Sequence, residues 1–431
     1  MTINKLIERV EGEAQLAIRM DEGVVADVDI GFGIYRGIET ILRGKPPQDA
    51  LVITPRTCGI CNHAHLMAAV AALEDALGGE DEAVYLTSKA KTIRELTLWM
   101  ELIQNHIKWF YLTVLPRLEE IGGEENSARE LALKASYATQ LLTRSIAVFA
   151  GQWPHASYAV PGGVTCDPTH LDRTRVLTWI EEAIRFWEQV VLGIPIERYL
   201  ALEQARELET LTGDLGRALM LLGRAGFARK GRSYDRFLVL GKDKLFRQGK
   251  ATPTTVTGIQ MRYVEETKTP DRHANRVLYR QRPYEVGPLA RAMVNKVPLI
   301  RSLHQRYRDA TLVRIAARMD EAARLLVSVR TALKHLCLHE PSWVPVASFE
   351  RRTAHGVGVI EAARGSLIHT VSIHNGVIDR YEIIVPTQWN LHMGTSNESG
   401  VAVRAMQGLG SVEEAALVFY AFDVCSVCTI Q

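Results

Sequence analysis

Apolar residues in this chain recur mostly at three- and four-residue steps, the period of helices that bury one face. The clearest run lies between Thr87 and Leu115, where Leu96, Trp99, Met100, Ile103, Ile107, Phe110, Tyr111 and Val114 form one stripe. That spacing predicts a single long amphipathic helix stopped by Pro116. A second helix is predicted from Ser127 to Val148, and helical patterns return at 170–192, at 199–223 and from Pro288 to Cys337, with a break near Asp309. From His63 to Leu77 the chain is apolar and alanine-rich. This predicts a buried helix with Asn62 as N-cap and Gly78-Gly79 as its stop.

Two regions alternate instead. Residues 6–30, with Asp21-Glu22-Gly23 between two runs, read as a β-hairpin that contains Arg9-Val10-Glu11-Gly12, and Gly31 to Gly44 reads as a loop entering a short helix. Near the other end Gly356–Ala362, Ser366–Ile373 and Val377–Val385 read as three strands, with His374-Asn375-Gly376 as a turn. Pro161-Gly162-Gly163 marks a tight loop, and 224–283 reads as irregular or β structure. Ser411-Val412-Glu413-Glu414 is a capping-box start to a last short helix. With no internal repeat or low-complexity linker, the expected fold is mainly α (α+β), a large helical core with small peripheral sheets, forming a single domain over 1–431.

Composition narrows the function classes. A net charge of +2 lacks the basic excess of a nucleic-acid binder, and the glycine-punctuated basic stretch 224–250 reads as a solvated or partner-facing surface. No apolar run is long enough to span a membrane, and MTINKLIERVEGEAQ has no apolar export core, so a cytoplasmic chain is expected unless a partner carries it out. Six cysteines are too few for a disulfide framework.

Four of them form two pairs, Cys58-Gly59-Ile60-Cys61 and Cys425-Ser426-Val427-Cys428, one near each end. Four thiolates in two such pairs suit one four-sulfur metal site, and a structural zinc ion is the simplest occupant. Zinc ribbons keep their pairs tens of residues apart, whereas these lie at opposite ends of a helical unit, so the chain ends are expected to meet at a buried site. Cys58 and Cys61 immediately precede a helix N-terminus, whose dipole favours thiolates.

The flanking residues decide between occupants. Arg56-x-Cys58-Gly59-x-Cys61-x-x-x-His65 with Asp423-x-Cys425-x-x-Cys428 resembles the large subunit of nickel–iron hydrogenases. The resemblance extends, in the family's order, through Arg9-x-Glu11-Gly12, Arg36-Gly37-x-Glu39, Pro161-Gly162-Gly163, Glu361-Ala362-x-Arg364-Gly365-x-Leu367-x-His369 and Val385-Pro386-Thr387-x-Trp389-Asn390. It implies nickel on Cys58, Cys61, Cys425 and Cys428, with Cys61 and Cys428 bridging to an iron that carries carbon monoxide and two cyanides. It also implies Glu11 as first proton relay, Arg364 over the metals, Asp423 orienting that arginine, Thr387 donating to a cyanide and His65 donating to a bridging sulfur. A magnesium ion is implied on Glu39, the carbonyl of Leu391 and the third position, here Gln431 in place of histidine. Val424 and Ala363 stand where the family has proline, and Arg117 where an acidic residue near the site is expected. Cys166 and Cys337 have no role in the motifs.

The implied activity is reversible heterolytic cleavage of H2. With four cysteines on nickel, the remaining two cannot hold a four-cysteine iron–sulfur cluster, so an iron–sulfur small subunit is the expected partner, docking around the Cys motifs and residues 6–40. Higher oligomers of that heterodimer are compatible with the sequence. A chain stopping three residues after Cys428 fits a mature enzyme or a hydrogen-sensing subunit, and the sequence leaves both open.

Overall fold

The computed structural model describes residues 1–10, 12–33, 35–78, 83–124, 127–269 and 272–425. Alternation at the N-terminus yields β1 (Thr2–Val10), β2 (Gly12–Asp21) and β3 (Val24–Phe32), an antiparallel meander rather than a lone hairpin, because Thr2–Ile7 already pairs with β2. Glu22 and Gly23 adopt positive φ and make the β2–β3 turn. The short helix α1 (Ile38–Leu42) follows, entered through Gly37 at φ 64. Then α2 (Ala50–Ile53) and a 3₁₀ turn (Thr54–Thr57) lead to the first cysteine pair.

Helix α3 (Asn62–Gly78) is buried nearly throughout, as its composition demands, and lies across the C-terminal sheet. It approaches so closely that a Cβ on Gly356 or Gly358 would stand 2.1 Å from the carbonyl oxygens of Ala72 or Ala68. Those two glycines therefore fix the depth at which α3, and the cysteines before it, sit on the sheet.

Helix α4 (Ser88–Trp109) begins where expected, its N-cap Thr87 hydroxyl accepting from the Ala90 N–H at 3.1 Å. Its end differs from the prediction. Phe110–Val114 form a π turn, and the chain continues as α5 (Leu115–Gly122) with Pro116 in its first turn. The wider π turn accommodates the residue that lacks an N–H, so proline redirects the helix instead of stopping it. The chain leaves α5 at Gly123, φ 66.

The helical core combines α4 with α6 (Ala128–Ala150), α7 (His170–Phe186) and a long helix near residue 320. Between α6 and α7 the Pro161-Gly162 turn joins β4 (Ala159–Val160) and β5 (Gly163–Val164). The 199–223 pattern is three pieces: α8 (Ile196–Leu200), a 3₁₀ turn (Ala205–Thr210) and α9 (Asp214–Arg224). The 224–283 region forms two small sheets, β6 (Phe237–Val239), β7 (Gly249–Ala251) and β8 (Val256–Thr257) in one, β9 (Val264–Thr267) and β10 (Arg276–Tyr279) in the other. Three of its basic residues are paired within the chain: Lys230 with Glu414, Arg236 with Glu398 and Lys244 with Glu95.

The last helical stretch is α10 (Pro288–Val294), α11 (Pro298–Tyr307) and α12 (Thr311–Lys334), broken near Asp309 as expected and also before Pro298. β11 (Ala354–Ala362), β12 (Gly365–His374) and β13 (Val377–Ile384) form the C-terminal antiparallel sheet. Asn375 (φ 49) and Gly376 (φ 82) make a two-residue turn of the type that matches strand twist. Then α13 (Pro386–Leu391), α14 (Val401–Met406) and α15 (Val412–Ala421) carry the chain back to the start. Ser411 caps α15 from the Glu414 amide, but the Glu414 carboxylate turns to Gly410 N and Lys230, so only half of the capping box forms. No helix among the described residues is long and apolar enough to cross a membrane.

Candidate metal centre

The 3₁₀ turn at Thr54–Thr57 delivers Cys58 in an extended conformation, and the next residues wrap around its sulfur. The Ile60 and Cys61 amides donate to Cys58 Sγ at 3.4 and 3.3 Å. Chain closure comes from α15, anchored where Trp109 Nε1 donates to the Tyr420 carbonyl at 2.8 Å. Beyond it Asp423, at φ 56, turns the chain so that Cys425 Sγ lies 3.3 Å from Cys58 Sγ. The sulfurs of Cys58, Cys61 and Cys425 lie within 4.8 Å of one another, all buried. Residues 367 apart in sequence thus share one site. Cys428, Glu11 and Gln431 lie outside the described residues.

Two arginines and one aspartate stand beside the sulfurs. Arg364 donates from Nε to the Asp423 carbonyl at 2.9 Å, from Nη2 to Asp423 Oδ1 at 3.0 Å and from Nη1 to Asn105 Oδ1 at 3.3 Å. Burial works against its charge, but Asp423 and the nearby Cys425, Cys61 and Cys58 outweigh it and hold its pKa above the ordinary value. Arg318 donates to the other oxygen, Asp423 Oδ2, at 2.9 Å and lies 4.8 Å from the Trp109 ring centre. A cavity of about 200 Å³, lined in part by Ile60, Asn105, Leu112, Arg364, Asp423 and Val424, reaches this side.

His65 follows Cys61 by one turn of α3, and the hydrogen bond that fixes its ring is to His369, Nδ1 to Nε2 at 3.0 Å. Tyr381 Oη holds His369 Nδ1 in turn at 2.8 Å. Burial pulls His65 down to about 4 and His369 well below its usual value, so both rings are neutral and pass one hydrogen-bond polarity along the row. Thr387 is buried at the start of α13, and its hydroxyl has no partner among the described residues. Such an orphan is costly unless a guest supplies the acceptor.

Glu39 is engaged already. Its Oε1 accepts from the Ile383 N–H at 2.9 Å and its Oε2 pairs with Lys268 Nζ at 3.0 Å. Leu391 ends α13, fully buried. Where the resemblance places magnesium, the Glu39 carboxylate is paired with a largely exposed Lys268 ammonium. Arg117 lies beyond the π turn, paired with Glu120 and near the Tyr420 ring, so no site-facing group stands there. The long helix turns Glu101 and Asn105 to the cysteine loop instead, Asn105 Nδ2 donating to the Ile60 carbonyl at 2.7 Å. Cys166 and Cys337 take no part in the cysteine cluster.

Three converging thiols with a guanidinium beside them make a soft, anionic donor set, which suits nickel or another thiophilic metal. A sequence profile described as nickel-dependent hydrogenase matches residues 36–115 and 268–430, together more than half of the chain. The chain belongs to the nickel-dependent hydrogenases. Among its curated relatives, this hydrogenase is 27% identical to the periplasmic [NiFeSe] hydrogenase large subunit of Desulfomicrobium baculatum, covering 89% of this chain and 84% of the other. It is 25% identical to the sulfhydrogenase 1 subunit alpha of Pyrococcus furiosus, over 99% and 96%. Its fold is that of the Ni-Fe-Se hydrogenase from D. vulgaris Hildenborough in the reduced state, with a TM-score of 0.84 at 23% identity over all of both chains. As a hydrogenase it is an oxidoreductase acting on H2, and its sulfur cluster is where the family's nickel belongs.

Proposed function

We propose that this chain is the catalytic large subunit of a hydrogenase that cleaves H2 heterolytically at a nickel–iron centre held by Cys58, Cys61, Cys425 and Cys428. Such a centre would be held with Cys61 and Cys428 shared between nickel and an iron that would carry one carbon monoxide and two cyanides. When bound, such a centre supplies the Lewis acid that polarises H2 and accepts its electrons. The observation that carries the reading is the convergence of three buried sulfurs from the two chain ends beside the Arg364–Asp423 pair.

The protein's own groups divide the remaining work. Arg364, locked by three hydrogen bonds, holds positive charge toward the site without reorganising during the reaction. A cysteine thiolate takes the proton of H2, and Glu11 accepts it next and passes it outward. His65 points a fixed tautomer at the sulfurs because His369 and Tyr381 set its other nitrogen. The orphan Thr387 hydroxyl would donate to a cyanide of the bound centre.

Electrons leave to an iron–sulfur small subunit. Supporting its docking around the first cysteine motif, Tyr35, Ile41 and Val52 are exposed apolar side chains, 63%, 47% and 44% accessible.

An infrared spectrum of the protein purified with its partner tests the reading. One carbonyl and two cyanide bands that move under H2 are expected; their absence, with zinc bound instead, would overturn it. Cys61→Ser should abolish H2 turnover, and Glu11→Gln should slow it while nickel and iron remain bound.

A further inference from the structure

Glu101 is a buried carboxylate that the reaction scheme above leaves unused. It lies on α4, 1% exposed, one turn before Asn105. Its Oε2 accepts from the His63 N–H at 2.8 Å and its Oε1 from the Ala64 N–H at 3.0 Å. These amides open α3, directly after Cys61, and a helix leaves such N–H groups without partners of its own. Glu101 therefore clamps the helix that carries the cysteine turn, while Asn105 grips the same turn at Ile60.

A cap of this kind needs no charge, since serine, threonine or asparagine serves at most helix starts. Here a full carboxylate is buried without a cationic partner among the described residues. Its one ionisable contact, His63 Nδ1 at 3.8 Å, is neutral because burial draws that ring down to about 3. Burial draws the Glu101 carboxyl up to about 8, with Cys58 pushing in the same direction and Arg364 opposing. Above that value the ionised carboxylate puts negative charge on the first amides of α3, the terminus that would otherwise favour the thiolates.

We propose that Glu101 is a positioning residue of the metal centre: through α3 it fixes the Cys58–Cys61 turn, and its carboxylate sets the electron density carried by those sulfurs. This rests on the nickel–iron reading above. The test is infrared spectroscopy of the holoenzyme above pH 8, where the wild-type carboxyl is ionised, with Glu101→Gln and Glu101→Ala, alongside nickel and iron content per chain. Wild-type carbonyl and cyanide bands must first be present, which isolates a failure of the nickel–iron reading from a failure of this one.

Glu101→Gln keeps one of the two acceptor oxygens and sets its NH2 against the other amide, so metal content should fall only in part, while the carbonyl band of the loaded fraction moves to higher wavenumber, because less charged sulfurs push less density onto iron. Glu101→Ala should lose metal. Full metal content with unmoved bands in Glu101→Gln would overturn the proposal. Should Glu101→Gln fail to retain metal, the metal-free full chain gives the answer through alkylation of Cys58 and Cys61 at fixed pH. Removing the carboxylate should speed alkylation several-fold with an unchanged circular-dichroism melt, and an unchanged rate would overturn the proposal equally.

Discussion

Arg314 and Arg318 lie one turn apart on α12, both at 3% exposure, and they live in opposite surroundings. Every nitrogen of Arg314 has an acceptor. Nε and Nη2 hold the Glu285 carboxylate at 2.9 and 2.8 Å, Nη2 also reaches Ser233 and Asp309 at 3.3 Å, and Nη1 donates to the Gly231 carbonyl. Arg318 divides Nη1 among Asp423, the Ala363 carbonyl and His106 Nδ1, and its Nε has no partner among the described residues. Burial, with Arg364 adding to it against the pull of Asp423, draws Arg318 down to about 10.

The first cluster is closed and tied to itself, as buried charge must be in a structural role. The second is incomplete: Arg318 Nε, like the Thr387 hydroxyl, has no partner among the described residues. Unfinished hydrogen bonding in a buried place marks where something else belongs.

The comparison can be broken by substitution. Arg314→Met strands Glu285 and Asp309 in the interior and should lower unfolding stability by about 3–5 kcal/mol, read in a denaturant titration, with the per-molecule turnover of the folded fraction kept. A smaller loss would mean that the closed cluster is less dry than its geometry implies.

His106 joins the Arg318 cluster to a third buried pair, Arg291–Glu321, its Nδ1 facing Arg318 and its Nε2 bonded to Glu321 Oε1 at 2.9 Å. Burial holds its pKa at about 4, below the usual 6.5. The unfolded chain therefore takes the proton first, so the contribution is whole above pH 6.5 and lost as pH falls toward 4. The loss is about 3 kcal/mol, and His106→Gln should flatten it between those limits. Glu321, held at about 2 chiefly by Arg291 against the effect of burial, adds a separate loss only below its ordinary 4.5.

Arg318→Met should do the reverse of Arg314→Met. Asp423 keeps Arg364, so stability should fall only about 1–2 kcal/mol, but H2 turnover should drop at least about tenfold, or about 1.4 kcal/mol of barrier. Equal losses of stability and turnover would erase the distinction between the clusters. The smallest effect is expected from Thr387→Val, which removes an unsatisfied hydroxyl. The metal-free chain should be unchanged or up to about 1 kcal/mol more stable, while one cyanide band of the loaded enzyme shifts.

The cysteine pairs and their flanks were legible because short-range spacing encodes them, and the helices because their stripes repeat. Pro116 was misread because a π turn is invisible to a period of 3.6. Glu101, Asn105 and Arg318 were missed as site residues for another reason. Polar residues spaced three or four apart read as a solvated face, yet α4 and α12 are buried on nearly all sides. A signal was present, since polar groups set among large apolar ones around a whole helix leave no face for water. The pairing of Glu39 with Lys268 was beyond reach, because 229 residues separate the partners.

A tie between Cys58 and Cys425 closes a loop of 367 residues. In the chain-entropy picture such a closure disfavours the unfolded chain by about 6 kcal/mol. The site therefore acts as a clasp on the finished chain. It cannot be fastened until Cys425 has been synthesised and α15 has docked, so a chain halted before Asp423 has nothing to fasten.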